Sequence, residues 1–168
     1  DISKILLSGQ LFRYNKEFSY VNQFEIEIAK HLNVKYALAV NSCGSALHLS
    51  LKSLNLNSQD TVLLNSFSLA PVPGAINKLG CQVKLVNVND DLVIELDDLE
   101  KKILKFKPKC LLLSYMRGYY PKIENVLTLC NQYKVRVIED CAHSFSTNYK
   151  GKYLGTWGDI GCFSFFSN

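Results

Sequence analysis

The stretch "VRVIEDCAHS", Val135 to Ser144, sets an apolar run directly against Glu139, Asp140 and His143. One carboxylate at the end of a buried strand can cap the turn that follows. Two acids with an imidazole close behind them form a denser cluster than a cap needs. A carboxylate in that place can hold a protonated ring nitrogen, a metal ion or a ribose. His143 either stands beside the same ligand or satisfies its own loop. Side chains alternate along a strand, so Glu139 points away from Asp140 and suits a supporting role. His31 and His48 fall on predicted helices and read as structural. A metal site would want further ligands nearby, and the sequence offers none at suitable spacing.

A second candidate is the turn in "KYALAVNSCGSAL". Gly44 lets a backbone approach a ligand closely, Ser42 or Ser45 can offer a hydroxyl, and free amides at a helix start attract an anion such as phosphate. The plainer reading is a serine N-cap beside a glycine, and taken alone it is the commoner one. Neither G-x-G-x-x-G after a strand nor G-x-x-x-x-G-K-[ST] occurs, which weighs against dinucleotide and Walker-type nucleotide binding.

Positioning these residues is the work of alternating elements. "YVNQFEIEIAKHL" has Phe24, Ile28 and Leu32 at helical spacing. "KYALAV" reads as a buried strand, "ALHLSLKSL" as a helix and "TVLLN" as a second strand. "SFSLAPVPG" reads as a loop, "AINKLG" as a short helix and "CQVKLVNV" as a third strand. "ELDDLEKKILKF" is acidic first and basic later, as a helix dipole favours. Then come a strand in "KCLLLSY", a helix in "KIENVLTLCNQY", a strand in "VRVIE", a hairpin over "NYKGKYLG" and a last strand in "DIGCFSFF". Strand and helix in strict succession predict a mainly parallel sheet with helices on both faces, an α/β three-layer fold. Ligands bind beyond the carboxyl ends of such strands, where "NSCGS", "NSFSL", "SYMRG" and "EDCAH" all fall.

The bulk numbers agree with a globular chain. Of 168 residues, 48% are hydrophobic and 20% charged, enough for a real core. The net charge of +4 comes from scattered lysines with no basic stripe, so nucleic acid is a poor partner. Apolar runs such as "CLLLSYM" are too short to span a bilayer, and no signal peptide opens the chain. The first residue is Asp1 rather than Met, which suggests a cut or processed start. The six cysteines form no C-x-x-C pair and sit in or beside apolar segments, as reduced, buried thiols of a cytosolic protein would.

The order and spacing of "NSCGSALHLSLKSL", "DTVLLNSFS", "GCQVKLVNV", "VIEDCAHS" and "YKGKYLGTWGDIGCFSF" resemble the DegT/DnrJ/EryC1/StrS aminotransferases, pyridoxal-phosphate enzymes best known for making amino sugars. The likeness begins at "LLSGQLFRY" and is most specific from Val137 to Phe165. It implies the large domain of the aspartate-aminotransferase-like fold at residues 20–168, incomplete, behind an N-terminal arm at 1–19, with a small C-terminal domain absent. It implies that Asp140 pairs with the pyridine nitrogen of the cofactor and that His143 lies by its ring hydroxyl. Ser164 matches a phosphate-binding serine, and Gly44 and Ser45 match the other phosphate turn. That turn usually reads Ser-Gly-Thr or Ser-Cys-Thr, whereas here it is Ser42-Cys43-Gly44-Ser45. Leu69 stands where many members stack an aromatic ring on the cofactor, and Tyr115 where a histidine is common.

The resemblance implies an aminotransferase that moves an amino group from glutamate or glutamine to a keto sugar on a nucleotide. It would act as a cytoplasmic homodimer, with the arm Ser8 to Tyr14 approaching a partner's site. The Schiff-base lysine is expected just after Asn168, so the sequence reads as a fragment that does not transaminate by itself. Two alternatives remain at this stage: a dehydratase of the same family in which that lysine is replaced, and a non-catalytic α/β binding or regulatory module.

Overall fold

The computed structural model of the chain describes residues 2–9 and 19–165, in two compact units, Asp1–Asn41 and Ser42–Asn168. In the first unit, α1 (Ile2–Ser8) buries none of its residues. The rest of the expected arm, residues 10–18, lies outside the described residues. Helix α2 (Tyr20–Leu32) starts where Ser19 accepts a hydrogen bond from the Asn22 amide, and it stops at Asn33 in the left-handed conformation (φ 54°). Asparagine tolerates that conformation better than most residues, which suits it to end a helix.

The predicted strand "KYALAV" is not formed. Residues 35–40 carry no ladder partner among the described residues, and Tyr36 and Leu38 are 77% and 64% exposed. A strand exists only through a neighbour that takes up its backbone groups. Here the Ala39 amide donates instead to the Glu25 carboxylate of α2, at 2.7 Å. Alternating apolar residues gave the pattern of a strand without supplying the pairing.

The second unit carries the sheet. Helix α3 (Cys43–Ser53) leads into β1 (Thr61–Asn65), α4 (Pro71–Asn77), β2 (Gln82–Val86), α5 (Leu96–Phe106) and β3 (Cys110–Ser114). Then follow α6 (Ile123–Gln132), β4 (Arg136–Cys141), the two-residue strands β5 (Asn148–Tyr149) and β6 (Lys152–Tyr153), and β7 (Ile160–Phe163). Five strands pair in the order β2-β1-β3-β4-β7, all parallel, and β5-β6 is a separate antiparallel hairpin. The expected three-layer α/β architecture is present, with the sheet one strand narrower than the sequence suggested.

Alternation along the central strands fills two cores. Val62, Leu64, Cys110, Leu112 and Ile138 face α3 and α4. Leu63, Leu111, Leu113, Val137 and Cys141 face α5, α6 and the hairpin. Burying each such aliphatic side chain contributes about 1.5–3 kcal/mol, so the strands are fixed from both sides. The chain leaves β1 in one direction for β2 and returns past it to β3. The carboxyl ends of β1 and β3 therefore flank a topological switch point, where open α/β sheets bind ligands.

Two local differences have simple causes. Helix α4 begins at Pro71, inside the expected loop, because the first turn of a helix has no use for the amide that proline lacks. Strand β7 ends at Phe163, which puts Ser164 just past the strand rather than on it. The hairpin turns at Lys150 and Gly151, both with positive φ (51° and 83°), the mirror-image turn that suits strand twist.

Candidate functional site

Three strands end in polar residues that meet. β1 ends at Asn65, β3 at Ser114, and β4 carries Asp140 next to its last residue. Ser114 and Asp140 are register partners in the sheet, and Cys162 is the partner of Asp140 on β7. The Ser114 hydroxyl donates to Asp140 Oδ2 at 2.7 Å, and the Ala142 amide donates to Oδ1 at 3.2 Å. Asn65 clamps the backbone of Ser114: its Oδ1 accepts from the Ser114 amide at 2.8 Å and its Nδ2 donates to the Ser114 carbonyl at 3.1 Å.

Asp140 is only 5% exposed. Burial raises its carboxyl above the ordinary aspartate range, while the hydrogen bonds from Ser114 and Ala142 and the nearby His143 pull it back. Two donors leave about half of a carboxylate's acceptor capacity unused. The remainder borders a pocket of about 240 Å³.

Gly44, Leu69, Ser114, Asp140, His143 and Ser164 line that pocket together. Five of the six residues singled out in the sequence as cofactor-binding therefore share one cavity. The sixth, Ser45, is not among the lining residues: its amide donates to Ser42 Oγ at 3.1 Å, and its Oγ accepts from the Ser42 hydroxyl at 3.0 Å. Ser42 thus caps α3, and the amides of Cys43 and Gly44, first in the helix, have no partner within it. An added Cβ at Gly44 would meet nothing nearer than Ser42 Oγ at 3.9 Å, so packing does not demand glycine there.

His143 is held from the "SYMRG" loop. The Arg117 amide donates to His143 Nδ1 at 3.3 Å. With that nitrogen accepting, the neutral ring carries its proton on Nε2. Arg117 sits at φ 54° and Gly118 at φ 79°, a conformation costly for arginine and easy for glycine. Met116, in the same short helical turn, joins the pocket wall with Leu47 and Val72. Cys43 also lines it; burial, with Asp140 and Cys162 nearby, pushes its thiol up to about 12, so it is a neutral wall group.

The opposite face of β4 differs. Glu139 is fully buried and accepts from the Tyr115 hydroxyl and from the amides of Gly155, Trp157 and Gly158, at 2.6–2.8 Å. Tyr115, at the position where a histidine is common in the resemblance, is 1% exposed and spends its hydroxyl on Glu139, in the core behind the sheet.

Asn65, Ser114 and Met116 were missed as site residues. The usable signal was that "TVLLN" and "CLLLS", like "VIED", close an apolar strand with a polar residue. Among the described residues, no group of three or more His, Cys, Asp or Glu is placed to hold a metal ion.

Residues 2–168 match the model of the DegT/DnrJ/EryC1/StrS aminotransferase family. The chain belongs to that family. It is 34% identical over 151 residues to GDP-perosamine synthase of Escherichia coli O157:H7, an alignment covering 89% of this chain and 41% of that protein. It is also 34% identical to the putative pyridoxal phosphate-dependent aminotransferase EpsN of Bacillus subtilis, across 88% of this chain and 40% of that one. Among solved structures, an aminotransferase from Psychrobacter cryohalolentis superposes with a TM-score of 0.90 at 24% identity, over 98% of this chain and 41% of that one. The GDP-4-keto-6-deoxy-D-mannose-3-dehydratase of E. coli, solved with bound hydrated PLP, gives 0.87 at 24% identity, over 98% and 43%. These structures share the fold. The chain thus spans about two-fifths of the length of the relatives it matches.

Proposed function

We propose that this family member binds pyridoxal 5'-phosphate in the pocket beside Asp140, as the cofactor-binding part of an enzyme that transfers an amino group to a sugar. The observation that carries the reading is a buried, half-satisfied carboxylate on β4, one strand from the sheet's switch point, facing a pocket that also meets the first turn of a helix. That donor set fits the cofactor: a carboxylate for a cationic ring nitrogen, unpaired amides and Ser164 for an anion, and Leu47, Leu69, Val72 and Met116 for a flat apolar ring. Bound there, pyridoxal phosphate supplies an electron-accepting ring for breaking a Cα–H bond of the amino donor.

The chain's own residues divide the remaining work. Asp140 would keep a proton on the ring nitrogen, a charge pair that the burial of the carboxylate strengthens. The amides of Cys43 and Gly44 and the Ser164 hydroxyl hold the phosphate. His143, its Nδ1 occupied by the Arg117 amide, would have Nε2–H free to serve the ring hydroxyl. Leu69 would supply an aliphatic contact for the ring, and Ser45 contributes through the cap of α3 rather than by direct contact.

We place the amino donor as glutamate or glutamine and the acceptor as a nucleotide-linked keto sugar. The relatives named GDP-perosamine synthase and UDP-4-amino-4,6-dideoxy-N-acetyl-beta-L-altrosamine transaminase support that choice. The working form in this reading is a cytoplasmic homodimer; among the described residues no helix is long and apolar enough to cross a membrane.

The test is Asp140→Asn in the whole enzyme. Turnover is expected to fall by orders of magnitude with the fold intact by circular dichroism, because an amide cannot hold the ring nitrogen protonated. Near-normal transamination by that variant overturns the assignment.

A further inference from the structure

Resting on the reading of the pocket as the cofactor site, we infer that Ser114 and Asn65 are positioning residues that set the charge state and orientation of Asp140. The three residues are linked across the carboxyl ends of β1, β3 and β4: the Asn65 side chain holds the Ser114 backbone, and the Ser114 hydroxyl donates to Asp140. All three are buried, with Asn65, Ser114 and Asp140 exposed by 2%, 6% and 5%.

The order of the bonds gives the linkage a direction. The Asn65 amide group grips both the N–H and the C=O of Ser114 and also donates to the Phe67 carbonyl at 2.9 Å, so its flip state is dictated by the backbone. Ser114 is thereby fixed beyond the last β1–β3 register pair, Leu64 with Leu112. Its hydroxyl then has one short acceptor, Asp140 Oδ2 at 2.7 Å. A hydroxyl donating to a carboxylate favours the ionised form and holds the plane of the group. Pairing with a cationic ring needs both properties, and burial alone would remove the first.

Few other groups compete for that control. His143 on the following turn favours the charged carboxylate, and burial opposes it. Cys43 at the start of α3 and Cys162 on β7 face Asp140, both with thiols raised by burial and therefore neutral. Cys141, next in the strand, is likewise raised well above its ordinary value. Ser114 is the nearest group whose removal takes stabilisation from the anion while changing no charge.

The test is a carbon-13 NMR titration of the Asp140 carboxyl in the cofactor-free protein, its resonance assigned by its loss in Asp140→Asn. Ser114→Ala is expected to move the Asp140 midpoint up by roughly one pH unit, the worth of a hydrogen bond to a charged group. Ser114→Thr, which keeps the hydroxyl, is expected to restore it. Asn65→Ala should move the midpoint in the same direction by less, since it loosens the carrier rather than the donor. A Ser114→Ala midpoint that stays put or falls, or a Ser114→Thr midpoint matching that of Ser114→Ala, overturns the inference. Should Ser114→Ala fail to fold, Ser114→Cys, a weaker donor of similar shape, is to show an upward shift, and a wild-type midpoint there overturns it equally. Addition of pyridoxal phosphate to the wild type, followed by absorbance above 400 nm, judges the cofactor reading separately. A wild type that does not bind it removes that reading, while the titration still decides what Ser114 does to Asp140.

Discussion

Glu139 and Asp140 are neighbours in one strand, equally acidic and almost equally buried, yet they face opposite sides of the sheet and meet opposite fates. Glu139 receives four donors, one from Tyr115 just past β3 and three from the segment after the hairpin. Asp140 receives two and keeps the rest of its capacity open to a pocket. A buried carboxylate with a full set of partners is a fastener, because its energy is already committed within the protein. One left partly unpaired has energy to offer a ligand. Burial and charge are therefore poor guides to function until the partners are counted.

The comparison is broken most severely by removing the fastener. Glu139→Ala would leave the Tyr115 hydroxyl and the amides of Gly155, Trp157 and Gly158 unpaired in a dry interior, and should cost about 3–5 kcal/mol. Urea denaturation checks it, and a loss below about 1 kcal/mol would show that water or rearrangement replaces the carboxylate. Gly155→Ala attacks the same fastening from the loop side. Gly155 sits at φ 84°, and a Cβ there would lie 2.3 Å from the Phe163 ring and 2.9 Å from Cys141 Sγ. Overpacking with a disfavoured backbone predicts a loss of about 2–4 kcal/mol, read from the same unfolding midpoints.

How much of this was legible in the residues follows from the kind of interaction involved. Strands β1, β3 and β4 could be read because each is a short run buried on both faces, and Asp140 stood out as an acid near the end of such a run; the edge strand β2 showed only through its alternation. Gly44 and His143 were candidates within their own turns, but Leu69 and Ser164, and the grouping of all four, came through the likeness of their surrounding motifs, since spacing alone does not bring residues 44 and 164 together. "KYALAV" misled because strand pairing is a property of a partner, and nothing in those six residues reveals whether one is there. Asn65 and Ser114 were missed for a related reason: their roles depend on β1 and β3 being adjacent, which only the sheet order supplies. Tyr115, which the likeness set where a histidine is common, lies just past β3 and turns into the core, where its hydroxyl meets Glu139.

Asp140 itself should behave in the reverse sense to Glu139, with a smaller effect. Burial raises its carboxyl above the value it would have in the unfolded chain. A group whose pKa rises on folding favours the folded state most below its unfolded pKa, where both states hold the proton. That contribution is lost as pH climbs through the raised folded value, since the folded protein must then carry a desolvated charge. Asparagine never meets this penalty. Asp140→Asn should therefore match the wild type in stability near pH 3 and gain on it toward pH 7, by up to about 1 kcal/mol, after discounting for the hydrogen bond from Ser114. The measurement is the difference in unfolding free energy between the two proteins at a series of pH values. A difference that is flat with pH, or that favours the wild type increasingly toward neutrality, would mean that Asp140 is as fully satisfied as Glu139, and the contrast between the two faces of β4 would fail.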